Sequence, residues 1–131
     1  MTVLGLDPGT RKCGFAVVTH SDAPPLELGI VPLEALAARL RELVARRSVD
    51  VAAIGRGTNA EPVAAAVAAL GLRFEMVDER GTTLLARGRY FQDHPPRGWR
   101  RLVPRGMLLP SRPIDDYAAL LIAERFLKGG D

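Results

Sequence analysis

The first eighteen residues constrain the fold most strongly, because two short apolar segments flank a tight turn there. A near-continuous apolar run, typical of a strand buried on both faces at the centre of a sheet, covers residues 2–6. It is followed by Asp7 and the turn signal Pro8-Gly9-Thr10, and a second strand is predicted over residues 12–18. A carboxylate at the tip of a core strand is held on a rigid element, where a metal ion or a substrate can meet it. The alternative is that Asp7 only opens the turn.

The rest of the chain predicts an α/β fold with a mixed five-stranded sheet flanked by helices. A third strand after the second predicts three antiparallel strands. The later alternation of strands and helices predicts two parallel strands joined by helical crossovers. At 131 residues the chain is expected to form one domain, residues 1–131. The further strands are predicted at residues 26–31, 51–54 and 74–77. Helices are predicted at 33–47, from the capping box Thr58-Asn59-Ala60-Glu61 to Leu70, at 82–92 and, after an aperiodic stretch at 93–113, at 114–127. The core face of the last helix is expected at Ile114, Ala118, Leu121, Ile122 and Phe126.

Composition excludes several classes of protein. Hydrophobic residues make up 47% of the chain and charged residues 25%, as in ordinary globular proteins. The one cysteine, Cys13, excludes an internal disulfide and a cysteine-rich zinc site, and it fits a reducing cytosol. No apolar stretch approaches the ~20 residues that a membrane span needs, and charged residues interrupt the first apolar run. We therefore expect a cytoplasmic protein with no membrane partner.

Positive charge is concentrated in one part of the chain. The sequence pI is about 9.6, and between Arg87 and Arg112 there are seven arginines against one acid, Asp93. The planar guanidinium suits phosphate, so this segment predicts a nucleic-acid or other polyanion partner. The alternative is a solvated basic loop. The arginines stand at positions 87, 89, 97, 100, 101, 105 and 112, and Tyr90, Phe91 and Trp99 are interleaved with them.

Acidic residues occur at the ends of two predicted strands and at the start of the last helix, three places that could converge in the fold. Asp7 follows the first strand, the pair Asp78-Glu79 follows the fifth strand, and the pair Asp115-Asp116 begins the last helix. Neighbouring carboxylates raise each other's pKa, and a bound divalent cation removes that conflict. Oxygen ligands favour Mg²⁺ or Mn²⁺ over zinc, and such ions can support phosphodiester cleavage. Taken singly, each acid has a structural alternative, either capping the last helix or pairing with Arg80.

Three segments resemble motifs of the YqgF (RuvX) family, whose members are RNase H-fold relatives of the RuvC Holliday-junction resolvases. The first segment is residues 4–17, the second is Val77-Asp78-Glu79-Arg80 with Thr82-Thr83, and the third is Asp115 with Ala118-Ala119 and the apolar helix beyond. They occur in the family's order and at its intervals, and the resemblance spans essentially the whole chain. The departures are Arg56-Gly57 for the family's usual Leu-Pro, Gly81 for a leucine, and Pro8, which is closer to the RuvC form.

The resemblance implies that Asp7, Glu79 and Asp115 are catalytic acids that bind Mg²⁺ or Mn²⁺. Asp116 is an alternative for the third place, because the doubled aspartate blurs the register. We therefore interpret the chain as a metal-dependent nuclease acting on structured nucleic acid. The resemblance favours an RNA substrate, the 5′ end of the small-subunit ribosomal RNA precursor, by a narrow margin over branched DNA. The alternatives are a resolvase of four-way DNA junctions and a non-catalytic nucleic-acid-binding factor. The oligomeric state is left open. The residues expected to contact nucleic acid are Thr10, Arg11, Asn59, Arg80, Arg87, Arg100, Arg101 and Arg105, of which Asn59 ends a loop that matches the family from Gly55 onward.

Overall fold

The structure is a computed structural model that describes residues 1–104 and 108–129. Its helices and strands alternate along the chain in the predicted order. They are β1 (Val3–Pro8), β2 (Lys12–Val18), β3 (Glu27–Pro32), a 3-10 turn (Leu33–Ala35), α1 (Leu36–Arg47), β4 (Val51–Gly55), α2 (Ala60–Ala68), β5 (Phe74–Val77), α3 (Thr82–Asp93), a second 3-10 turn (Gly98–Leu102) and α4 (Asp115–Leu127).

The five strands form one sheet in the order β3-β2-β1-β4-β5. The strand β1 pairs antiparallel with β2 and parallel with β4, while β2–β3 is antiparallel and β4–β5 is parallel. The predicted fold class, a mixed five-stranded sheet with three antiparallel and two parallel strands, is therefore confirmed. The apolar side chains of β1 are fully buried on both faces of the sheet, which explains why this strand is central.

Helices cover the two faces of the sheet and bury a separate hydrophobic cluster on each. On one face α1 and α2 pack against Leu4 and Leu6 of β1. On the other face α4 lies directly on the sheet, against Val3 and Ala16, and α3 packs against α4. The helix α4 is therefore enclosed between the sheet and α3.

The position of α4 corrects the predicted core face. Of the five residues expected there, only Ile122 is fully buried, while the other four pack at the edge of the cluster. The most buried face carries Ala119 and Ala123 instead, because a β-carbon on Gly5 would lie 2.2 Å from the Ala119 carbonyl oxygen and 2.8 Å from Ala123 Cβ. Close contact between helix and sheet requires small residues on both sides, and a pattern of large apolar residues does not reveal it.

The start of α2 also differs from the prediction. The N-cap is Asn59, whose side chain makes no capping hydrogen bond, so the capping box expected at Thr58 and Glu61 does not form. The helix ends at Ala68, two residues before Leu70, and Gly71 follows with a positive φ of 73°.

No helix within residues 1–104 and 108–129 is long and apolar enough to cross a membrane.

Candidate active site

Asp7 lies within β1, at the carboxyl end of the central strand. The strand continues to Pro8, so Asp7 is part of the sheet and does not open the turn. The turn is closed after it by a hydrogen bond from the Gly9 N–H to the Lys12 carbonyl oxygen at 3.0 Å. In the register of the sheet Asp7 stands opposite Gly14 of β2. Its side chain is half-buried, on the central strand of the sheet, which holds it in a fixed position.

Glycines on β4 and beyond it give Glu79 access to the same end of the sheet. A β-carbon on Gly55 would lie 2.8 Å from Glu79 Oε2, and one on Gly57 would lie 3.0 Å from Oε1 and 3.0 Å from the Pro8 carbonyl oxygen. Gly55 follows Ile54, the partner of Leu6, so the Glu79 carboxylate lies beside Asp7. The Glu79 carbonyl oxygen accepts hydrogen bonds from the Thr82 hydroxyl at 2.7 Å and the Thr82 N–H at 3.1 Å, which fix its backbone.

The neighbouring acid, Asp78, turns away from this site. Its carboxylate accepts hydrogen bonds from the Arg80 N–H at 3.0 Å and from Arg80 Nε at 2.9 Å. The Arg80 side chain lowers the pKa of Asp78. The Arg125 guanidinium of α4 donates to the carbonyl oxygens of Asp78 and Arg80, so α4 also holds the turn that carries Glu79.

The third acid at the site is Asp115, and a glycine positions it as well. A β-carbon on Gly14 would lie 2.0 Å from the Asp115 carbonyl oxygen, so the first turn of α4 can rest on β2 only at a glycine. Because Gly14 is the partner of Asp7, the beginning of α4 lies next to Asp7. The Asp115 Oδ2 atom is buried and accepts no hydrogen bond within the described residues, although the Lys12 ammonium lies 3.3 Å from it.

The pKa of Asp7 reflects the charges of the other two carboxyl groups. The pKa of Asp7 is raised to about 7, chiefly by burial and then by the charges of Glu79 and Asp115 and a hydrogen bond with Glu79. Burial, together with the charge of Asp7, raises the pKa of the Cys13 thiol to about 12. Cys13 is therefore an inert core residue, as a buried thiol with an elevated pKa is expected to be.

The donor chemistry of the three acids fits a hard divalent cation, since all the ligands are carboxylate oxygens and one of them is buried without a hydrogen bond. The positions of the three carboxylates do not match this chemistry. Across residues 1–104 and 108–129, no three acidic, histidine or cysteine side chains are grouped so as to hold a metal ion. The raised pKa of Asp7 favours its neutral, protonated form, and the Lys12 ammonium compensates the charge of Asp115. A shared proton and an ammonium group are one way to relieve the repulsion of three carboxylates, and a divalent cation is another.

Asp116, the alternative third acid, is not brought to this site. It is 5% exposed, and its Oδ1 atom accepts hydrogen bonds from the Tyr117 N–H at 2.9 Å and from Arg112 at 3.3 Å. The Arg112 guanidinium also lies over the Tyr90 and Tyr117 rings. Asp116 therefore joins α4 to the segment that precedes it, and the geometry favours Asp115 as the third acid of the site.

The residues expected to contact nucleic acid lie in different surroundings. Thr10, Arg11 and Arg101 are exposed, the Arg80 side chain is 91% exposed despite its ion pair with Asp78, and Arg87 and Arg100 are half-buried. The Asn59 amide donates to the Gly9 carbonyl oxygen at 2.6 Å and to that of Thr10 at 3.3 Å, so it ties two loops together. Arg105 lies outside the described residues.

Sequence reasoning missed three kinds of contributor to this site. Lys12 and Gly14 were predicted only as part of the second strand and of the first motif, with no role at the site, and Arg125 was given no role. The only signal for Lys12 and Gly14 was their closeness to Asp7 in sequence. Arg125 is separated from Asp78 by 47 positions, so no local pattern could have linked them.

The architecture is similar to solved structures of resolvases. Thermus thermophilus RuvC aligns with a TM-score of 0.59 at 18% identity, and T. thermophilus RuvC in complex with Holliday junction substrate with 0.61 at 20%. Both alignments cover 95% of this chain and 91% of the other. Fowlpox virus resolvase in complex with substrate Holliday junction DNA aligns with a TM-score of 0.63 at 8% identity and covers 98% of each chain. The chain has a RuvC-like RNase H fold. No protein-family model and no curated protein matches it, so the YqgF (RuvX) resemblance stays a prediction within this fold.

Proposed function

We propose that the protein is a divalent-metal-dependent nuclease that hydrolyses phosphodiester bonds in structured nucleic acid. The observation that supports this most directly is the approach of Asp7, Glu79 and Asp115, which come from three distant parts of the chain, to one end of the central strand. A Mg²⁺ or Mn²⁺ ion held by these carboxylates would supply an activated water and stabilise the leaving oxygen. The chain's own contribution is to hold Asp7 on β1, Asp115 on the first turn of α4 and Glu79 in a turn fixed by Thr82, with glycines beneath them.

In this proposal, Lys12 and the exposed basic residues around the acids position the substrate. The Lys12 ammonium lies 3.3 Å from Asp115 and its side chain is 42% exposed, so it can meet both the acid and an incoming phosphate. Arg11 and Thr10 lie exposed in the turn after Asp7, and Arg80 follows Glu79 directly. Arginine binds phosphate oxygens through a planar fork with two parallel donors, and its contacts fix the register of a nucleic acid without reading its sequence.

Branched DNA is the substrate that we place first. Two of the structures with a similar fold are described as complexes with Holliday junctions, one of T. thermophilus RuvC and one of fowlpox virus resolvase. The family resemblance favoured an RNA precursor, and both substrates require phosphodiester hydrolysis on structured nucleic acid. The choice between the two substrates is therefore one of preference, to be measured side by side.

The test is a cleavage panel in which a four-way DNA junction and a structured ribosomal RNA precursor are incubated with the protein, with and without Mn²⁺, at one stated salt concentration. We expect product only with the metal. Asp7→Asn, Glu79→Gln and Asp115→Asn should each lower the cleavage rate by at least about 100-fold, because each removes one oxygen ligand. Asp116→Asn is the matched control, since it changes the adjacent residue by the same atom and should keep most of the activity. Full cleavage by Asp7→Asn protein would remove the proposed mechanism.

A second candidate, a non-catalytic nucleic-acid-binding factor, is favoured by one observation. The acids are not grouped for metal binding within the part of the chain that the structure describes. This candidate needs the basic surface but not the carboxylates. Binding that is unchanged by EDTA, together with no product from either substrate at any Mn²⁺ concentration, would support it over the nuclease.

A further inference from the structure

An exposed tryptophan stands within the basic segment, on the second 3-10 turn. Trp99 is 74% exposed and Leu102, on the same turn, is 87% exposed. Residues three positions apart on a 3-10 turn lie on the same side of it, and adjoining exposed apolar side chains mark a surface that meets a partner. We use "the arginine turn" for residues 97–102, which include Arg97, Arg100 and Arg101 together with these two apolar residues.

The arginine turn is held in place at several points. The Arg100 guanidinium donates to the Leu109 carbonyl oxygen, and the Val103 N–H donates to the Arg100 carbonyl oxygen at 3.2 Å. On the far side of the turn, Val103 packs against the cluster around α4, and Leu108 is 3% exposed within that cluster. Before the indole, Tyr90 and Phe91 of α3 are buried in the same cluster, so the chain is anchored in the core on both sides of Trp99, which is itself exposed.

The segment that contains Trp99 carries positive charge and no acidic residue. Residues 94–114 contain no aspartate or glutamate, and Arg97 and Arg101, two positions before and after Trp99 in the chain, are exposed. Arg97 and Arg100 also line a cleft of about 230 Å³, to which Ser111 contributes. An aromatic ring flanked by guanidinium groups combines a stacking surface with phosphate contacts, which together recognise single-stranded or unstacked nucleotides.

The arginine turn is connected to the acid site through packed residues. The Tyr90 and Ser111 hydroxyl groups are 3.3 Å apart, and the Arg112 guanidinium lies 5.3 Å from the centre of the Tyr90 ring. Arg112 in turn contacts Asp116, the residue next to Asp115. Side-chain contacts therefore link the cleft beside the turn to the first turn of the helix that carries Asp115.

We propose that Trp99 stacks on an exposed nucleobase while Arg97 and Arg101 bind the adjacent phosphates. The inference rests on the proposed function in so far as nucleic acid is the partner. It adds to that function a contact, made by Trp99, that distinguishes a branched or single-stranded substrate from a plain duplex. Bases at a branch point or in a single strand present a free face, whereas bases inside a duplex are already stacked on both sides. The turn therefore selects nucleic acid with unstacked bases.

Trp99 is the single tryptophan of the chain, so its fluorescence reports this contact without a label. The wild-type protein in EDTA is titrated with a four-way DNA junction, with a single strand and with a linear duplex of matched sequence. Anisotropy of a fluorescein-labelled copy of each nucleic acid measures binding independently. We expect the junction and the single strand to quench Trp99 emission as they saturate the protein, and the duplex to quench it less. Heparin, a polyanion without bases, should bind without comparable quenching.

The variants separate stacking from charge. Trp99→Ala should weaken junction and single-strand binding by about 5- to 150-fold, the range seen when one stacking aromatic residue is truncated, and Trp99→Phe should recover most of the loss. Leu26→Ala is the matched control, because Leu26 is also exposed (44%) but lies in the β2–β3 connection, at the end of the sheet opposite Asp7. It should bind like the wild type.

The outcomes distinguish this inference from the proposed function. Binding of the junction by anisotropy with unchanged Trp99 emission, or equal quenching by heparin, overturns the stacking contact and leaves the nuclease proposal standing. Quenching with normal binding but no cleavage in Mn²⁺ overturns the nuclease and leaves the stacking contact standing. No binding of any nucleic acid overturns both.

Discussion

Replacing Asp7 with asparagine should make the metal-free protein more stable above pH 7. The pKa of Asp7 is raised from 3.8 to about 7, chiefly by burial and then by the charges of Glu79 and Asp115. Between about pH 4 and pH 7 the unfolded chain has therefore lost the Asp7 proton while the folded chain still holds it. The sign follows directly: the folded state binds more protons in this range, so the stability contributed by this site falls as the pH rises through it.

The size of the effect comes from the two pKa values. At ~1.4 kcal/mol per pKa unit their difference corresponds to about 4 kcal/mol. Because Asp7 is half-buried and solvent screens part of the repulsion, we expect Asp7→Asn to raise the free energy of unfolding by about 2–4 kcal/mol at pH 8. An asparagine amide can keep the hydrogen bond to Glu79 without adding a charge. At pH 4 the variant and the wild type should differ little.

Urea unfolding in EDTA at pH 4, 6 and 8 measures this prediction. Asp22→Asn is the charge-matched control, since Asp22 is exposed in the β2–β3 loop and its replacement should leave stability unchanged at every pH. Mn²⁺ should stabilise the wild type and have little effect on Asp7→Asn. The reasoning would be refuted by an Asp7→Asn protein no more stable than the wild type at pH 8, or by a gain of the same size at pH 4.

Three further predictions follow from contacts elsewhere in the structure. Gly14→Ala should destabilise the protein by about 3 kcal/mol or more in urea unfolding, because the new β-carbon would lie 2.0 Å from an α4 carbonyl oxygen. Gly88→Ala, within α3 and facing open space, should stabilise it by ~0.5–1 kcal/mol, and equal effects of the two would contradict the packing of α4. Arg89→Met should cost about 3–5 kcal/mol in the same assay, since it leaves the Glu124 carboxylate, 4% exposed, without its 2.7 Å ion pair. Arg101→Ala should lower the slope of log binding constant against log salt for duplex DNA by about 0.9, and an unchanged slope would remove this residue from the phosphate contacts.

The sheet was predictable because its signals are local. The apolar runs of β1 and β4 and the alternation of strands and helices were sufficient for the strand directions, and β2 and β5 were predicted with the bounds that the structure has. The core face of α4 was not predictable, since it depends on glycines of β1 and β2 that admit the helix backbone. Small residues carry no hydrophobic signal, so a helix that packs through alanines is assigned the wrong face from its leucines.

The candidate site was predictable in part. What the residues alone did not determine is which of two adjacent acids faces the site. That Asp7 would be at a strand end, and that acids elsewhere could approach it, followed from the order of the elements. The choice between Asp78 and Glu79 did not follow from the residues alone and came from the family resemblance. In the structure, Gly55 and Gly57 leave space for the longer Glu79 side chain at the site, and Arg80 forms an ion pair with the shorter Asp78 side chain.

The two aspartates that begin α4 show how one helix start serves two purposes. Successive residues of an α-helix point about 100° apart, so Asp115 and Asp116 cannot face the same partner. Asp115 lies against Gly14 and Lys12, beside the other acids, and Asp116 lies against Arg112 and Tyr117, beneath the basic segment. If the third carboxylate belongs to the site, its neighbour therefore fixes the segment that bears Trp99 to the same helix turn. Asp116→Asn keeps the oxygen that accepts the Tyr117 N–H, so it should leave the cleavage rate largely unchanged, whereas Asp115→Asn removes a carboxylate from the site.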